Sequence, residues 1–162
     1  MTLAVFILLL VTLQRLSELW IAKRNTQRLL DQGGREAAPE HYPFIVAMHA
    51  AWLIGLWILA HDRDVALFWI GLFVILQALR VWVLTTMGPR WTTRIIVLPE
   101  APLVKEGPFR WVSHPNYCVV AAEILVLPMA FGLVWFAILF SILNAIILTI
   151  RIRAENEALA AS

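Results

Sequence analysis

The chain has 162 residues, of which 61% are hydrophobic and only 15% are charged. A soluble domain is nearer half apolar and a quarter charged, so this composition excludes an ordinary soluble protein and indicates one that lies in a membrane. The net charge of +2 is small and its cations are spread along the chain, which argues against nucleic-acid binding, while the single cysteine, Cys118, excludes an intrachain disulfide.

Five apolar segments follow one another along the chain, and a membrane span needs roughly 20 such residues. The predicted spans cover about 2–22, 43–60, 65–87, 115–131 and 133–154. Pro128 and Gly132 interrupt the last long apolar stretch, which therefore forms a helical hairpin. We expect an all-α integral membrane protein, folded as one domain over residues 1–162.

The positions of the basic residues predict the orientation of these spans. Four of the thirteen Lys and Arg lie between the first two spans, four lie in 88–113 and two lie in the C-terminal tail. Five spans put all three segments on one side, which the positive-inside rule makes the cytoplasm. We therefore expect the N-terminus outside, the C-terminus in the cytoplasm, and a multi-pass protein of a cell membrane, most simply a bacterial inner membrane.

Several ionisable residues fall inside the apolar segments, where a charge is costly unless it has a partner or a function. Arg15 and Glu18 are three residues apart, so they lie on one helical face and can interact. Glu123 is a lone carboxylate about two turns into the fourth span. It is a candidate functional group, and the alternative is that a structural partner such as Arg80 neutralises it.

Two further polar groups lie at the cytoplasmic ends of the last two spans. Gly107-Pro108 predicts a turn before the fourth helix, with His114 at its N-cap, Pro115 in its first turn and Tyr117 just inside. The free N–H groups of such a helix start suit an anionic ligand. The plainer alternative is a helix entry with an interfacial His and Tyr.

The last helix carries Asn144, Leu148, Arg151 and Glu155 on one face, by their three-to-four spacing. An Asn, an Arg and a Glu on such a face indicate a site or a packing partner, although a solvated helix end is the simpler reading. The four histidines show no metal-ligand spacing with acidic residues or cysteine, so no metal site is predicted.

Read together, these motifs resemble the isoprenylcysteine carboxyl methyltransferase family of integral membrane enzymes. The resemblance rests on Gly107-Pro108-Phe109-Arg110, on His114-Pro115-Asn116-Tyr117, and on Arg151, Glu155 and Leu159 after the hairpin. The first half is similar to a bacterial branch whose members methylate alkylpyrones or alkylresorcinols. Its features are Arg24-Asn25, Gly33-Gly34-Arg35-Glu36, His41-Tyr42-Pro43, His49 and Trp91-Thr92-Thr93-Arg94.

This resemblance implies an enzyme that uses S-adenosylmethionine to methylate an oxygen of a lipophilic small molecule, which enters from the bilayer. The cofactor-binding residues carried over from the family motifs are Gly107, Pro108, Arg110, His114, Pro115, Tyr117, Arg151 and Glu155. A phenol or enol acceptor benefits from a general base, and the candidates are Glu123 and then His114.

The chain departs from the family pattern at two positions. Ser113 stands where an Arg is usual, and Asn156 stands where the second Glu of a pair is expected. The missing Arg counts against a prenylated cysteine carboxylate, which is the alternative acceptor. A third hypothesis, from another class, is a membrane binding or assembly protein without enzymatic activity.

Overall fold

The computed structural model describes residues 2–99 and 101–160. Five helices and two short strands make up the described chain. In chain order they are α1 Leu3–Asp31, β1 Arg35–Ala37, α2 Tyr42–Ala60, α3 Leu67–Met87, β2 Ile95–Val97, α4 Pro115–Ala130 and α5 Val134–Ala160. Single 3₁₀ turns at Pro39–His41, Gly88–Arg90 and Gly107–Arg110 precede α2, follow α3 and precede α4.

The start of α1, the α2–α3 loop and the α4–α5 turn meet at one end of the bundle. Thr2 caps α1 and donates its hydroxyl to the carbonyl of His61 at 2.9 Å. The amide of Ala66 donates to the carbonyl of Ala130 at 2.8 Å, just before the turn that contains Gly132 at φ +69°. Each helix therefore runs from this end of the bundle to the other, or back again.

Helix length separates α4 from the other four helices. Within the described residues, α1, α2, α3 and α5 are long and apolar enough to cross a membrane, whereas α4 has 16 residues. A helix of 16 residues is about 24 Å long, against roughly 30 Å of bilayer hydrocarbon. Most of α4 is nevertheless buried, including Val119, Ile124 and Leu127, so protein rather than lipid surrounds it.

The outer faces of the longer helices are apolar and exposed, as a lipid-facing surface requires. They include Leu10, Leu13, Phe68, Ile75 and Trp135, each more than half exposed. The inner faces pack around Trp52, Leu56, Ile124 and Phe131. The integral membrane character predicted from composition is confirmed by this arrangement of long apolar helices.

A small antiparallel sheet at the other end of the bundle was not part of the all-α prediction. Glu36 of β1 pairs with Ile96 of β2. Asn25 of α1 donates to the carbonyl of Trp91 at 2.8 Å and so holds the start of this segment against the bundle. The sheet lies on the side where the basic residues concentrate.

Four charged side chains from three helices meet inside the bundle, and we call them the buried ion cluster: Arg15, Glu18, Arg80 and Glu123. Arg80 of α3 donates to Glu18 at 2.5 and 2.6 Å and to Glu123 at 2.9 Å. Arg15 of α1 donates to Glu123 at 2.8 Å and to Glu18 at 3.2 Å. Two cations thus balance two anions, and the cluster joins α1, α3 and α4.

Candidate active site

A cavity of about 830 Å³ lies at the basic end of the bundle, between the start of α4, the end of α5 and the segment around β2. Its polar lining residues are Arg90, Thr92, Arg94, Lys105, Arg110, Ser113, His114, Asn116, Tyr117, Arg151, Glu155 and Asn156. Apolar side chains complete the wall, among them Ile95, Val97, Leu103, Phe109 and Leu159. We refer to this space as the first cavity.

The start of α4 follows from its local sequence. Pro115 occupies the first turn, where its missing N–H costs nothing, and His114 precedes it with a non-helical backbone. Three residues bring Tyr117 almost one turn further, so the His114 and Tyr117 rings stack with their centroids 5.4 Å apart and their planes 20° apart. Both side chains therefore face the end of α5.

Five residues form an outer polar network across this gap: His114, Tyr117, Arg151, Glu155 and Asn156. The Tyr117 hydroxyl donates to the Glu155 carboxylate and accepts from Arg151 Nε at 2.8 Å. His114 Nε2 lies 3.2 Å from Asn156 Oδ1. Arg151 also donates to the backbone carbonyl of Thr93 at 2.7 Å, which ties α5 to the segment before β2.

The structure brings together six of the eight residues proposed for the cofactor. Arg110, His114, Pro115, Tyr117, Arg151 and Glu155 all line the first cavity. Gly107 and Pro108 are not among the described residues that line it. Gly107 has φ +53°, and a Cβ at this position would lie 2.6 Å from Thr86 Oγ1 on α3. These two residues therefore fix the approach of the chain to α4 from behind the cavity.

Sequence reasoning did not assign any role to two residues that line the first cavity. Thr92 lies in the segment before β2, and Asn116 lies between the two motif residues Pro115 and Tyr117. Asn116 Oδ1 is buried and has no hydrogen-bond partner within the described residues. The Trp91–Arg94 motif had entered only as a family feature, and nothing in its spacing indicates a cavity.

A second cavity of about 300 Å³ adjoins the first and extends into the bundle. The two cavities share five lining residues, which we call the shared wall: Trp91, Thr92, Asn116, Tyr117 and Arg151. The rest of the second cavity is lined mainly by α1 and α2, including Leu16, Leu19, Tyr42, Ile45, Val46, His49, Trp52 and Leu53. Arg15, Glu18 and Arg80 of the buried ion cluster also reach its wall.

The lipid-facing side of the second cavity lies between α1 and α2. Leu16 and Leu19 of α1 line the cavity while they remain 59% and 44% exposed on the bundle surface. Val46 of α2 lines it as well and is 41% exposed. An apolar molecule in the bilayer could therefore reach the cavity between these two helices without crossing water.

The two candidate bases occupy different surroundings. His114 lines the first cavity, 3.9 Å from Glu155 through its Nδ1. Glu123 is fully buried, accepts a hydrogen bond from Gln77 at 2.7 Å and contacts both arginines of the buried ion cluster. It lines neither cavity among the described residues. This geometry matches the alternative reading, in which Arg80 neutralises the carboxylate, and it gives the base role no support.

Comparisons with known proteins decide the family. The model of the isoprenylcysteine carboxyl methyltransferase (ICMT) family matches residues 69–161, which is more than half of the chain and contains every motif at the first cavity. The chain belongs to the ICMT family. This is a family of membrane methyltransferases, and the chain is a multi-pass membrane protein.

Two bacterial relatives extend the likeness over almost the whole chain of this ICMT family member. Protein YpbQ of Bacillus subtilis is 38% identical over 155 residues, which cover 93% of this chain and 92% of the relative. A protein of Haemophilus influenzae is 24% identical over 151 residues, or 90% and 88% of the two chains. Both are uncharacterised, so they do not test the resemblance to a pyrone- or resorcinol-methylating branch. No solved structure matches the chain.

The chemistry of the first cavity fits the S-adenosylmethionine that the ICMT family implies. The cofactor carries a carboxylate, an ammonium, ribose hydroxyls and an aromatic base. Arg110 and Lys105 supply cations for a carboxylate, while Glu155 and the unpartnered Asn116 oxygen supply acceptors for the ammonium or hydroxyls. The apolar side chains around β2 offer a surface for the base. Among the described residues, no group of three His, Cys, Asp or Glu is placed to hold a metal.

Proposed function

We propose that the chain transfers the methyl group of S-adenosylmethionine to an oxygen of a lipophilic small molecule at the cytoplasmic face of the membrane. The observation that carries this proposal is the shared wall. One polar cavity at the basic end of the bundle and one apolar cavity that opens toward lipid meet at the same five residues. A transferase needs such a meeting point for a water-soluble donor and a lipid-soluble acceptor.

The protein's part in this reaction is positioning. Methyl transfer is an in-line displacement, and the bound cofactor supplies a sulfonium-activated methyl group that needs no metal. Holding donor and acceptor in line is worth several orders of magnitude in rate. We assign the holding of the donor to Arg110, His114, Tyr117, Arg151 and Glu155, with Gly107, Pro108 and Pro115 shaping the loop and helix start behind them.

The expected orientation of the protein in the membrane supports a donor site in the first cavity. We propose five crossings, with α4 crossing inside a protein shell rather than against lipid. The end of the bundle that holds Thr2 and Ala130 has Arg63 as its basic residue, whereas the end with the first cavity carries the clustered Lys and Arg. The positive-inside rule then puts the first cavity on the cytoplasmic side, where S-adenosylmethionine is made.

The family match is equally compatible with a prenylated cysteine carboxylate as acceptor. Arg151, on the shared wall, offers a cation that such a carboxylate could contact. Our preference for a non-peptide lipophilic acceptor rests on Ser113, which lines the first cavity where the family usually has an Arg.

The proposal is tested by binding and turnover in lipid nanodiscs. Tritiated S-adenosylmethionine should bind saturably to the purified protein, and Glu155→Gln should weaken this binding by about tenfold, because the carboxylate accepts from Tyr117 and faces the cavity. Glu157→Gln, on the exposed side of the same helix, serves as the matched control. Absence of saturable binding to the unaltered protein would contradict the proposal and favour a non-enzymatic role.

The acceptor class is tested in the same nanodiscs with two probes, 5-pentadecylresorcinol and N-acetyl-S-farnesylcysteine. We expect label transfer to the resorcinol and none to the cysteine derivative. Transfer to the cysteine derivative alone would establish the prenylcysteine reading instead.

A further inference from the structure

We infer that the second cavity selects a neutral acceptor through a hydroxyl group, which His49 of α2 binds at its Nε2 atom. This inference rests on the proposed function and adds the chemical class of the acceptor together with the residue that recognises it.

The hydrogen bonds of His49 determine which of its ring nitrogens is open. Nδ1 lies 2.9 Å from the backbone carbonyl of Ile45, and a carbonyl oxygen can only accept, so Nδ1 carries the proton. In the neutral ring Nε2 is then a hydrogen-bond acceptor. Nε2 has no hydrogen-bond partner among residues 2–99 and 101–160. Unlike the fully buried atoms that lack a partner, it keeps some accessible surface. Since His49 lines the second cavity, Nε2 is available to a ligand there.

Three N–H donors around the same cavity are also without a partner in the described part of the chain. They are Nε of Arg15 and the indole Nε1 atoms of Trp52 and Trp91, all of them buried. A buried polar hydrogen without a partner is costly, and in native structures such groups usually have an explanation. A ligand oxygen that reached one of these groups would supply the missing partner.

A hydroxyl is the simplest group that suits both kinds of open site. Its O–H can donate to His49 Nε2, and its oxygen can accept from a neighbouring N–H. A carboxylate can only accept, so it would meet the His49 lone pair with its own lone pairs. An ether has the same defect, because it has no hydrogen to donate.

The charges near the cavity also favour a neutral group over an anion. Arg15 and Arg80 are both in contact with Glu18 and Glu123, so the two cations of the buried ion cluster are already balanced. A carboxylate beside His49 would find no free cation in this cluster, and Arg151, the other cation of the cavity, lies at the shared wall, so an anion at His49 is unfavourable.

The position of His49 along α2 shows how such an acceptor would extend. One face of α2 lines the cavity, with residues spaced three or four apart: Tyr42, Ile45, His49 and Trp52. Tyr42 bonds to Thr93 Oγ1 at 3.1 Å, close to the shared wall, and His49 lies two turns deeper. A hydroxyl bound at His49 therefore anchors the acceptor within the bundle. The oxygen that is methylated at the shared wall is then a second oxygen of the acceptor, and its apolar rest can leave between α1 and α2.

The test compares 3-pentadecylphenol with 3-pentadecylanisole, in which a methyl group replaces the hydroxyl hydrogen. Saturation binding of each tritiated probe is measured on the protein in nanodiscs, with empty nanodiscs as background. The unaltered protein should bind the phenol about tenfold more tightly than the anisole, as expected for one good hydrogen bond. His49→Phe should abolish this preference, mainly by weakening phenol binding.

Two further variants show whether the hydrogen bond, rather than packing, is responsible. His49→Gln keeps an acceptor near the place of Nε2 and should restore most of the preference for the phenol. Leu53→Ala enlarges the cavity at the same wall without removing a polar atom. It should weaken the binding of both probes equally and leave the ratio of their affinities unchanged.

The outcomes separate this inference from the proposed function. Equal binding of the two probes by the unaltered protein, no binding of either, or a preference that survives His49→Phe would each overturn the inference. Binding of tritiated S-adenosylmethionine is measured on the same samples. If the unaltered protein does not bind it, the proposed function is overturned instead.

Discussion

The buried ion cluster and the outer polar network both join α4 to neighbouring helices through arginine and glutamate side chains, and their carboxylates Glu123 and Glu155 differ in whether they face a cavity. In the buried ion cluster, Glu123 is fully buried and contacts Arg15, Arg80 and Gln77. In the outer network, Glu155 and His114 line a cavity of about 830 Å³. The carboxylate of Glu123 is fully paired and lines neither cavity, so it holds helices together, whereas Glu155 faces a cavity and can also bind a ligand.

Removal of one charge from the buried ion cluster should produce the largest effect. Arg80→Met leaves Glu18 and Glu123 with one cation between them, and breaking a buried ion pair from one side costs about 3–5 kcal/mol. We expect the melting temperature in detergent to fall by about 10 °C. Arg63→Met, in the exposed α2–α3 loop, should change it very little.

A double-mutant cycle sharpens this result. Glu123→Gln should also destabilise the protein strongly, but Arg80→Met combined with Glu123→Gln restores neutrality and should cost clearly less than the sum of the two single changes. Additive losses would contradict the closed cluster. The folded fraction of Glu123→Gln should retain its turnover of a phenolic probe, and a hundredfold loss of kcat there would re-establish Glu123 as the base.

The outer network should respond in binding more than in stability. Arg151→Met removes the bonds to the Tyr117 hydroxyl and the Thr93 carbonyl and takes a cation from the shared wall. We expect the Kd for S-adenosylmethionine to rise by about a hundredfold, or roughly 2.7 kcal/mol. The melting temperature should fall much less than in Arg80→Met, because Glu155 faces a cavity in which it can be hydrated.

Arg153→Met provides the matched control, since Arg153 lies two residues further along α5 on its exposed side. It should leave the affinity for the cofactor within about twofold. A similar loss of affinity in both variants would mean that the net charge of the helix end, and not the network, governs binding.

The contrast between the two clusters also explains what the sequence could predict. The helices, the hairpin and the start of α4 depend on apolar runs and on prolines such as Pro115, and these are local signals. The motif residues around His114 and Arg151 were predicted through the family resemblance. The family match confirms membership of the family, and the roles of these residues stay predictions. The branch and the acceptor stay predictions.

Contacts between distant residues could not be predicted in the same way. Arg15 and Glu123 are 108 positions apart, and Arg151 meets the Thr93 carbonyl across 58 positions. No periodicity relates such pairs, so the sequence could offer Arg80 only as one alternative partner of Glu123. The second cavity was missed for the same reason, because its walls come from all five helices and the segment around Thr92.

Gly107 tests whether residues behind the first cavity act on it indirectly. Gly107→Ala would place a Cβ 2.6 Å from Thr86 Oγ1 at a backbone with φ +53°. The loop must then shift, and we expect the affinity for S-adenosylmethionine to fall about tenfold. Gly132→Ala is the control, because its φ of +69° carries a similar strain while nothing lies within 4 Å of the added Cβ. It should cost stability and leave cofactor affinity unchanged.

The smallest expected effect comes from the loss of a single hydroxyl, and it tests whether the two cavities bind different ligands. Tyr117→Phe removes the oxygen that links Glu155 to Arg151, and both partners stay in place and can still approach each other. The Kd for S-adenosylmethionine should therefore rise only about fivefold, the value of one ordinary hydrogen bond. Tyr42→Phe removes a hydroxyl that is hydrogen-bonded to Thr93 Oγ1. Tyr42 lines the second cavity but not the first. It should leave cofactor affinity unchanged, and an equal loss in both variants would mean that the two cavities do not divide the donor from the acceptor.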